Sequence, residues 1–429
     1  MAPKINSIHK RQFTVCLLFM LMTITLQAQD WPQWRGPNAN GVAEQGNYPS
    51  VISSSNNLLW EIKLPGVGGS TPIVWKDRII ITSGIGENDD AEDGVICFDW
   101  EGNQVWEVKL GKQNPGKHKR GSGSNPSAIT NGERIFVLFK TTTLAALDFD
   151  GNVLWKTNLQ DTHGEITFWW DFGTSPVLVE GNVVVAIMNE GQSYLLALEQ
   201  STGKVAWKVD RNYTCNKETA QSYTTPLLIT EGDKTTIVVW GADHLTGHDA
   251  TTGELIWSYS GFNPGQKQYW RTIASPAISD GVALVPYGRG RLLAGMKTKI
   301  EGDMTEKDFL WEKSGIGTDV ATPIAIDGKV YILSFNGKLW CLDILTGEEL
   351  WKSELPEVKG LFYSSPTLAG NMLYMCNDVG AFYVCEVSDS GIKVLTHTQF
   401  EDNFVASPVL VQNKLLLRGT KNLYCFGQE

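Results

Sequence analysis

The chain has 429 residues with 36 basic and 47 acidic side chains, a net charge of −11. At 42% apolar and 19% charged residues it is a folding globular chain, neither disordered nor collagen-like. Residues 1–29 hold three of the basic residues and none of the acidic ones, so the remainder carries −14, which gives no general electrostatic grip on nucleic acid or anionic lipid.

The N-terminus reads as a basic segment (MAPKINSIHKRQ), an apolar stretch (FTVCLLFMLMTITL) and a polar exit containing Ala28. That is the pattern of a secretory signal peptide over residues 1–29, too short in its apolar part for a membrane span of ~20 residues. No later segment is long and apolar enough to span a bilayer as a helix. The expectation is an exported monomer: a lead-in at 30–57 and one domain at 58–429.

The body is built on a repeat. A Ser/Thr-Pro, once Asn-Pro, precedes an apolar strand at Pro72, Pro126, Pro176, Pro226, Pro276, Pro323, Pro366 and Pro408, at intervals of 54, 50, 50, 50, 47, 43 and 42 residues. A second strand follows each (DGKVYILS from Asp327), then a third (GKLWCLD from Gly337), then a Thr-Gly or Asp-Gly turn into a strand ending in Trp (TGEELW from Thr346). Short alternating strands bounded by Gly, Asn and Asp, four per unit at this period, describe an all-β, eight-bladed β-propeller of four-stranded antiparallel blades. Trp106, Trp155, Trp207, Trp257, Trp311 and Trp351 end the fourth strands. The eighth unit runs out after three strands, whereas LLWEIKL with Trp60 stands ahead of the first. The N-terminal strand is therefore expected to complete the last blade and close the ring.

Aligning the third strands puts Cys97, Ala146, Ala197, Gly247, Ala294, Cys341, Cys385 and Cys425 at one small-residue position, so these four cysteines lie in different blades and cannot pair. Cys376 falls in a second strand, and Cys215 in a loop outside the pattern.

Loops entering each innermost strand converge on the axis of a propeller. Their charged members are Asp171, Arg271 and Asp319, joined by the rings of Trp169, Trp170, Tyr223, Trp270, Phe362, Tyr363 and Phe404. This set suits a small polar, planar or sugar-like ligand. The competing reading pairs the charges across the channel and plugs it with the aromatics. The Ser/Thr before the Pro recurs in seven of the eight blades without a partner His, which makes it a structural device. Two insertions stand out: the acidic GIGENDDAEDG (84–94), read as a solvated loop in preference to a calcium site, and KLGKQNPGKHKRGSGS (109–124), where Lys117, His118, Lys119 and Arg120 could dock an anionic partner.

Examples such as ALDFDGNVLW (146–155), GHDATTGELIW (247–257) and CLDILTGEELW (341–351) resemble the PQQ-like propeller repeat over essentially all of 58–427, and WPQWRGPNANGV (31–42) resembles the lead-in of exported bacterial members. The resemblance implies one of two roles. The first is a partner-binding scaffold in the cell envelope, periplasmic or outer-membrane associated, like the propeller of the outer-membrane β-barrel assembly machine. The second is a quinoprotein oxidoreductase holding pyrroloquinoline quinone and calcium on the axis. The chain has no adjacent Cys pair of the kind the dehydrogenases place over the quinone, so no cofactor is expected and the scaffold is preferred, with an envelope protein or a small polar ligand as partner.

Overall fold

A computed structural model describes residues 30–86, 90–298 and 308–428. The segment read as a signal peptide, and Glu87 and Asp89 of the acidic loop, lie outside the described residues. Eight antiparallel sheets of the propeller type follow one another along the chain. The first comprises Ile73–Trp75, Arg78–Ile85, Glu92–Phe98 and Gln104–Lys112. The last is built from Val409–Val411, Lys414–Arg418 and Asn422–Phe426, completed by Leu58–Lys63 from the N-terminal side. Trp60 pairs with Cys425 and Lys63 with Asn422, which closes the ring as the repeat predicts.

The repeat motif has a packing cause. In the third strands, Cys97, Ala146, Ala197, Gly247, Cys341 and Cys425 each sit opposite the fourth-strand Trp. A Cβ on Gly247 would stand 2.1 Å from the Trp257 ring, so only small residues fit there. In blade five the residue facing Trp311 is Gly295, one place beyond the Ala294 expected from the sequence. In four blades the indole Nε1 then crosses to the next blade: Trp60 donates to the Trp100 carbonyl (2.8 Å), Trp106 to Phe149 (2.8 Å), Trp155 to Gln200 (3.0 Å) and Trp311 to Ile344 (2.9 Å). The Trp207 and Trp257 indole N–H groups are buried without a partner among the described residues. Gly203 of the Thr-Gly turn (φ +70°) lies under Trp155, where a Cβ would approach the ring to 2.6 Å. The turn glycine thus serves both a left-handed backbone and a close approach. The six described cysteines are all free, and Cys97, Cys341, Cys376, Cys385 and Cys425 are buried.

The residue before each inner strand forms a second, continuous device. Backbone N–H groups of Thr71, Ser127, Ser175, Thr225, Ser275, Thr322, Ser365 and Ser407 each donate to the hydroxyl of the next member, at 2.9–3.1 Å, and Ser407 donates back to Thr71. The eight bonds form a closed circle about the axis. Blade two corrects the alignment: its member is Ser127, after Pro126, because Ile129 rather than the residue next to Pro126 opens the pairing with Phe136.

The lead-in is part of this body. Trp31 pairs with Val74 of blade one, the Pro32 carbonyl accepts from Thr130 of blade two, and Val42–Ala43 adds a parallel strand to the innermost Thr367–Ala369 of blade seven. Arg35, buried, donates to the carbonyls of Thr322 and Pro323 of blade six. These contacts lie at the level of the inner strands, beyond the hydroxyl circle as seen from the entry loops, so the lead-in crosses the axis at that end. Among the described residues no helix is long and apolar enough to cross a membrane.

Candidate functional site

The entry loops and the hydroxyl circle enclose an axial cup of about 470 Å³, with Trp34 of the lead-in among its lining residues. All eight circle residues line it. Asp171, Arg271 and Asp319 share this cup with Trp170, Tyr223 and Tyr363. Trp169 and Trp270 stand outside: the Trp169 indole turns to the Glu190 carboxylate (3.0 Å), and Trp270 packs edge-on to Tyr287. Of the basic loop, His118 and Arg120 line the cup, whereas Lys117 and Lys119 are exposed and do not. The loop expected to form a separate anionic patch is instead folded over the axis.

Asp171 causes that fold. Its carboxylate accepts the backbone N–H of Lys117 (2.7 Å) and of His118 (2.9 Å) and the Lys140 ammonium (2.7 Å). Lys140 and Asp171 form an ion pair with both side chains about 5% exposed, so the pair is fully committed to anchoring the loop. Arg120 is fixed in turn by Asp378 (2.9 Å) and Asn403 (2.9 Å). His118 lies between the Trp170 and Tyr363 rings, 5.8 Å from each. Burial, and then the positive charges of Lys119, Arg271 and Arg120, hold its imidazole below the usual histidine range, against the opposing pull of Asp171. Its Nδ1 accepts the Arg120 N–H (3.1 Å), so neutral His118 carries its proton on Nε2.

On the opposite wall, Arg271 reaches Glu218 and Asp319 at 3.4 Å each. Glu218 also accepts the Trp170 indole N–H at 2.8 Å, which fixes the ring and the guanidinium together. Burial raises the Asp319 carboxyl above the usual range, opposed by Arg271 and Arg289. Its Oδ1 is buried without a hydrogen-bond partner. The charges therefore do pair, as the competing sequence reading had it, yet the pairs line a cavity and do not fill it. Trp34, Glu218, Arg289, Phe335, Lys140 and Asp378 were not singled out from the sequence. Arg289, Phe335 and Asp378 belong to turns between second and third strands, which emerge on the same face as the entry loops in a four-stranded antiparallel unit.

The acidic insertion also differs from expectation. Glu92 and Asp93 belong to a strand; Glu92 pairs with Lys109 (2.9 Å) and Asp93 is buried, accepting from Thr141. Burial pushes the Asp93 carboxyl up to about 7.

A quinone–calcium pair on the axis would need free carboxylate donors in the cup. Asp171 spends both oxygens on N–H groups and Lys140, and Asp319 lies beside Arg271 and Arg289. Among the described residues no three of His, Cys, Asp and Glu cluster to hold a metal ion. Carboxylates already neutralised by cations make a poor calcium set, so the residues present do not fit a calcium ion.

Comparison with known proteins agrees with the fold. The curated "Outer membrane protein assembly factor BamB" of Yersinia pestis is 22% identical over 318 residues, which cover 74% of this chain and 64% of that relative's own length. The chain thus spans just under two thirds of the length of that relative. The crystal structure of BamB from Moraxella catarrhalis superposes with a TM-score of 0.60 at 13% identity, covering 87% of this chain and 97% of the other. A europium-containing methanol dehydrogenase superposes with a TM-score of 0.68 at 11% identity, covering 93% and 98%. At such identities both structures speak to the fold alone. The family model described as "Outer membrane protein assembly factor BamB" matches residues 42–210 and 150–393. With most of its length matched, the chain belongs to this BamB-like family of PQQ-like repeat β-propellers.

Proposed function

We propose that the protein is an exported, monomeric module of the bacterial cell envelope that binds a component of outer-membrane protein assembly through the loop face of its propeller. The observation that carries this reading is the composition of that face. Trp169 and Trp170 are 38% and 41% exposed, Tyr269 is 48% exposed with Lys217 against its ring, and Lys117 and Lys119 stand exposed beside them. Exposed aromatic rings are enriched in protein-binding surfaces, and the lysines around them suit the polar rim of such a surface. The hydroxyl circle and the blade-to-blade Trp contacts hold these loops on one rigid frame, so a partner meets a preformed surface and little ordering entropy is lost on binding. The names of the relatives supply the class of partner. The role needs recognition only, without a covalent step.

Crosslinking in living cells followed by mass spectrometry tests the assignment. It should join the protein to an outer-membrane β-barrel protein or to a component of its assembly machinery. Titrating purified protein with pyrroloquinoline quinone and calcium, read by absorbance and dye reduction, tests the oxidoreductase reading. Stoichiometric uptake with turnover would overturn the scaffold assignment.

A further inference from the structure

We propose that the axial cup is a binding site for a neutral saccharide of one or two sugar units. The inference goes beyond partner docking on the loop face and does not depend on it.

The first ground is the surplus of hydrogen-bonding capacity around the cavity. Each of the eight circle hydroxyls accepts one backbone N–H and, among the described residues, has no acceptor for its own proton. The cup is therefore lined with unspent O–H donors. His118 has an unspent Nε2–H by the same count, since its Nδ1 is the nitrogen in use. Asp319 Oδ1 is a buried acceptor without a donor. A buried polar atom left unpaired is destabilising, so a ligand that satisfies it gains stabilisation. Both donors and acceptors are left over, and sugar hydroxyls act as both. A carboxylate ligand could only accept, and it would face Asp319.

The second ground is charge. Arg120, Lys140 and Arg271 are matched by Asp378, Asp171, Glu218 and Asp319, and Arg289 acts on Asp319 as a further cation. Among the groups in and behind the cup wall, four cations stand against four carboxylates, so no unpaired charge of the wall itself selects an ion. The third ground is shape. Trp34, Trp170, Phe335 and Tyr363 all line the cavity and offer flat apolar faces suited to the C–H face of a pyranose. Its size lies within the ~300–1,000 Å³ usual for small-ligand pockets.

The test is a titration of the purified protein with glucose, galactose, mannose, N-acetylglucosamine and their 1,4-linked dimers, with galacturonate as the charged control. Binding is read by tryptophan fluorescence and calorimetry. At least one neutral saccharide should saturate the site at millimolar concentration or below. Trp170→Ala and Asp319→Asn should each weaken that binding about tenfold or more. Trp170→Phe should keep most of it, and Leu345→Ala, in an exposed third-to-fourth strand turn on the opposite face, should leave it unchanged. Thermal melts establish that each variant is folded. No saturable binding by any neutral member would overturn the proposal, as would tighter binding of galacturonate than of galactose, or wild-type affinity in folded Trp170→Ala.

Discussion

The hydroxyl circle and most of the rim above it come from the same eight entry loops, yet they obey opposite rules. In the circle every blade supplies a Ser or Thr doing the same task, one hydrogen bond to the next blade, and any one member could stand for another. In the rim no two blades agree: one loop gives His118 and Arg120, the next Trp170 and Asp171, another Glu218 and Tyr223, and others Arg271 and Asp319. Uniformity belongs to the frame, where identical geometry must close on itself. Variation belongs to the surface that meets a ligand. In a repeat protein the departures from the repeat are therefore the place to look for function.

Four changes separate frame from rim. The largest effect is expected for Trp60→Ala, which removes the side chain holding the ring-closing strand against blade one, at a cost of about 3–5 kcal/mol. Trp106→Ala, the same side chain in a blade of contiguous strands, sets the local cost. The excess in Trp60→Ala, read from denaturant unfolding, measures closure.

Lys140→Met comes next. It leaves the Asp171 carboxylate buried with only its two backbone donors, a loss of about 3 kcal/mol. Because that pair anchors the 117–118 backbone, amide exchange in this loop should accelerate while the hydroxyl circle stays protected.

Asp93 gives a smaller, pH-dependent effect. Its folded carboxyl is raised to about 7, so between about pH 4 and 7 the folded state holds a proton that the unfolded state has released. Stability should fall as pH rises through that window and level off above it, by about 2 kcal/mol between pH 5 and 7. Asp93→Asn should flatten this dependence in urea titrations.

Ser275→Ala is the smallest of the four. It removes the acceptor of the Thr225 N–H and should cost about 1 kcal/mol. Thr225→Ala, one position earlier in the circle, should cost the same if its members are equivalent.

The frame was legible because it repeats. Trp60 without a unit of its own pointed to ring closure, and the recurring Ser/Thr marked a structural device before its hydrogen bonds were seen. Two slips came where the pattern shifts locally: Pro126 stands two places ahead of its counterparts, and Gly295 takes the position expected of Ala294. The cup was legible only in part. Asp171, Arg271 and Asp319 were found because they interrupt small-residue loops. Lys140 and Glu218 were missed because their roles come from contacts across blades, between residues 31 and 53 positions from their partners. The lead-in WPQWRGPNANGV gave no sign that it would cross the axis, since its pairing partners are spread over blades one, two, six and seven.

A photoreactive residue placed in turn at Trp169, on the loop face, and at Leu345, 57% exposed in a third-to-fourth strand turn on the opposite face, tests most directly whether the rim is the recognition surface. After irradiation of living cells, position 169 should crosslink to an outer-membrane assembly component and position 345 should not. Capture of that component from 345 with none from 169 would contradict the account.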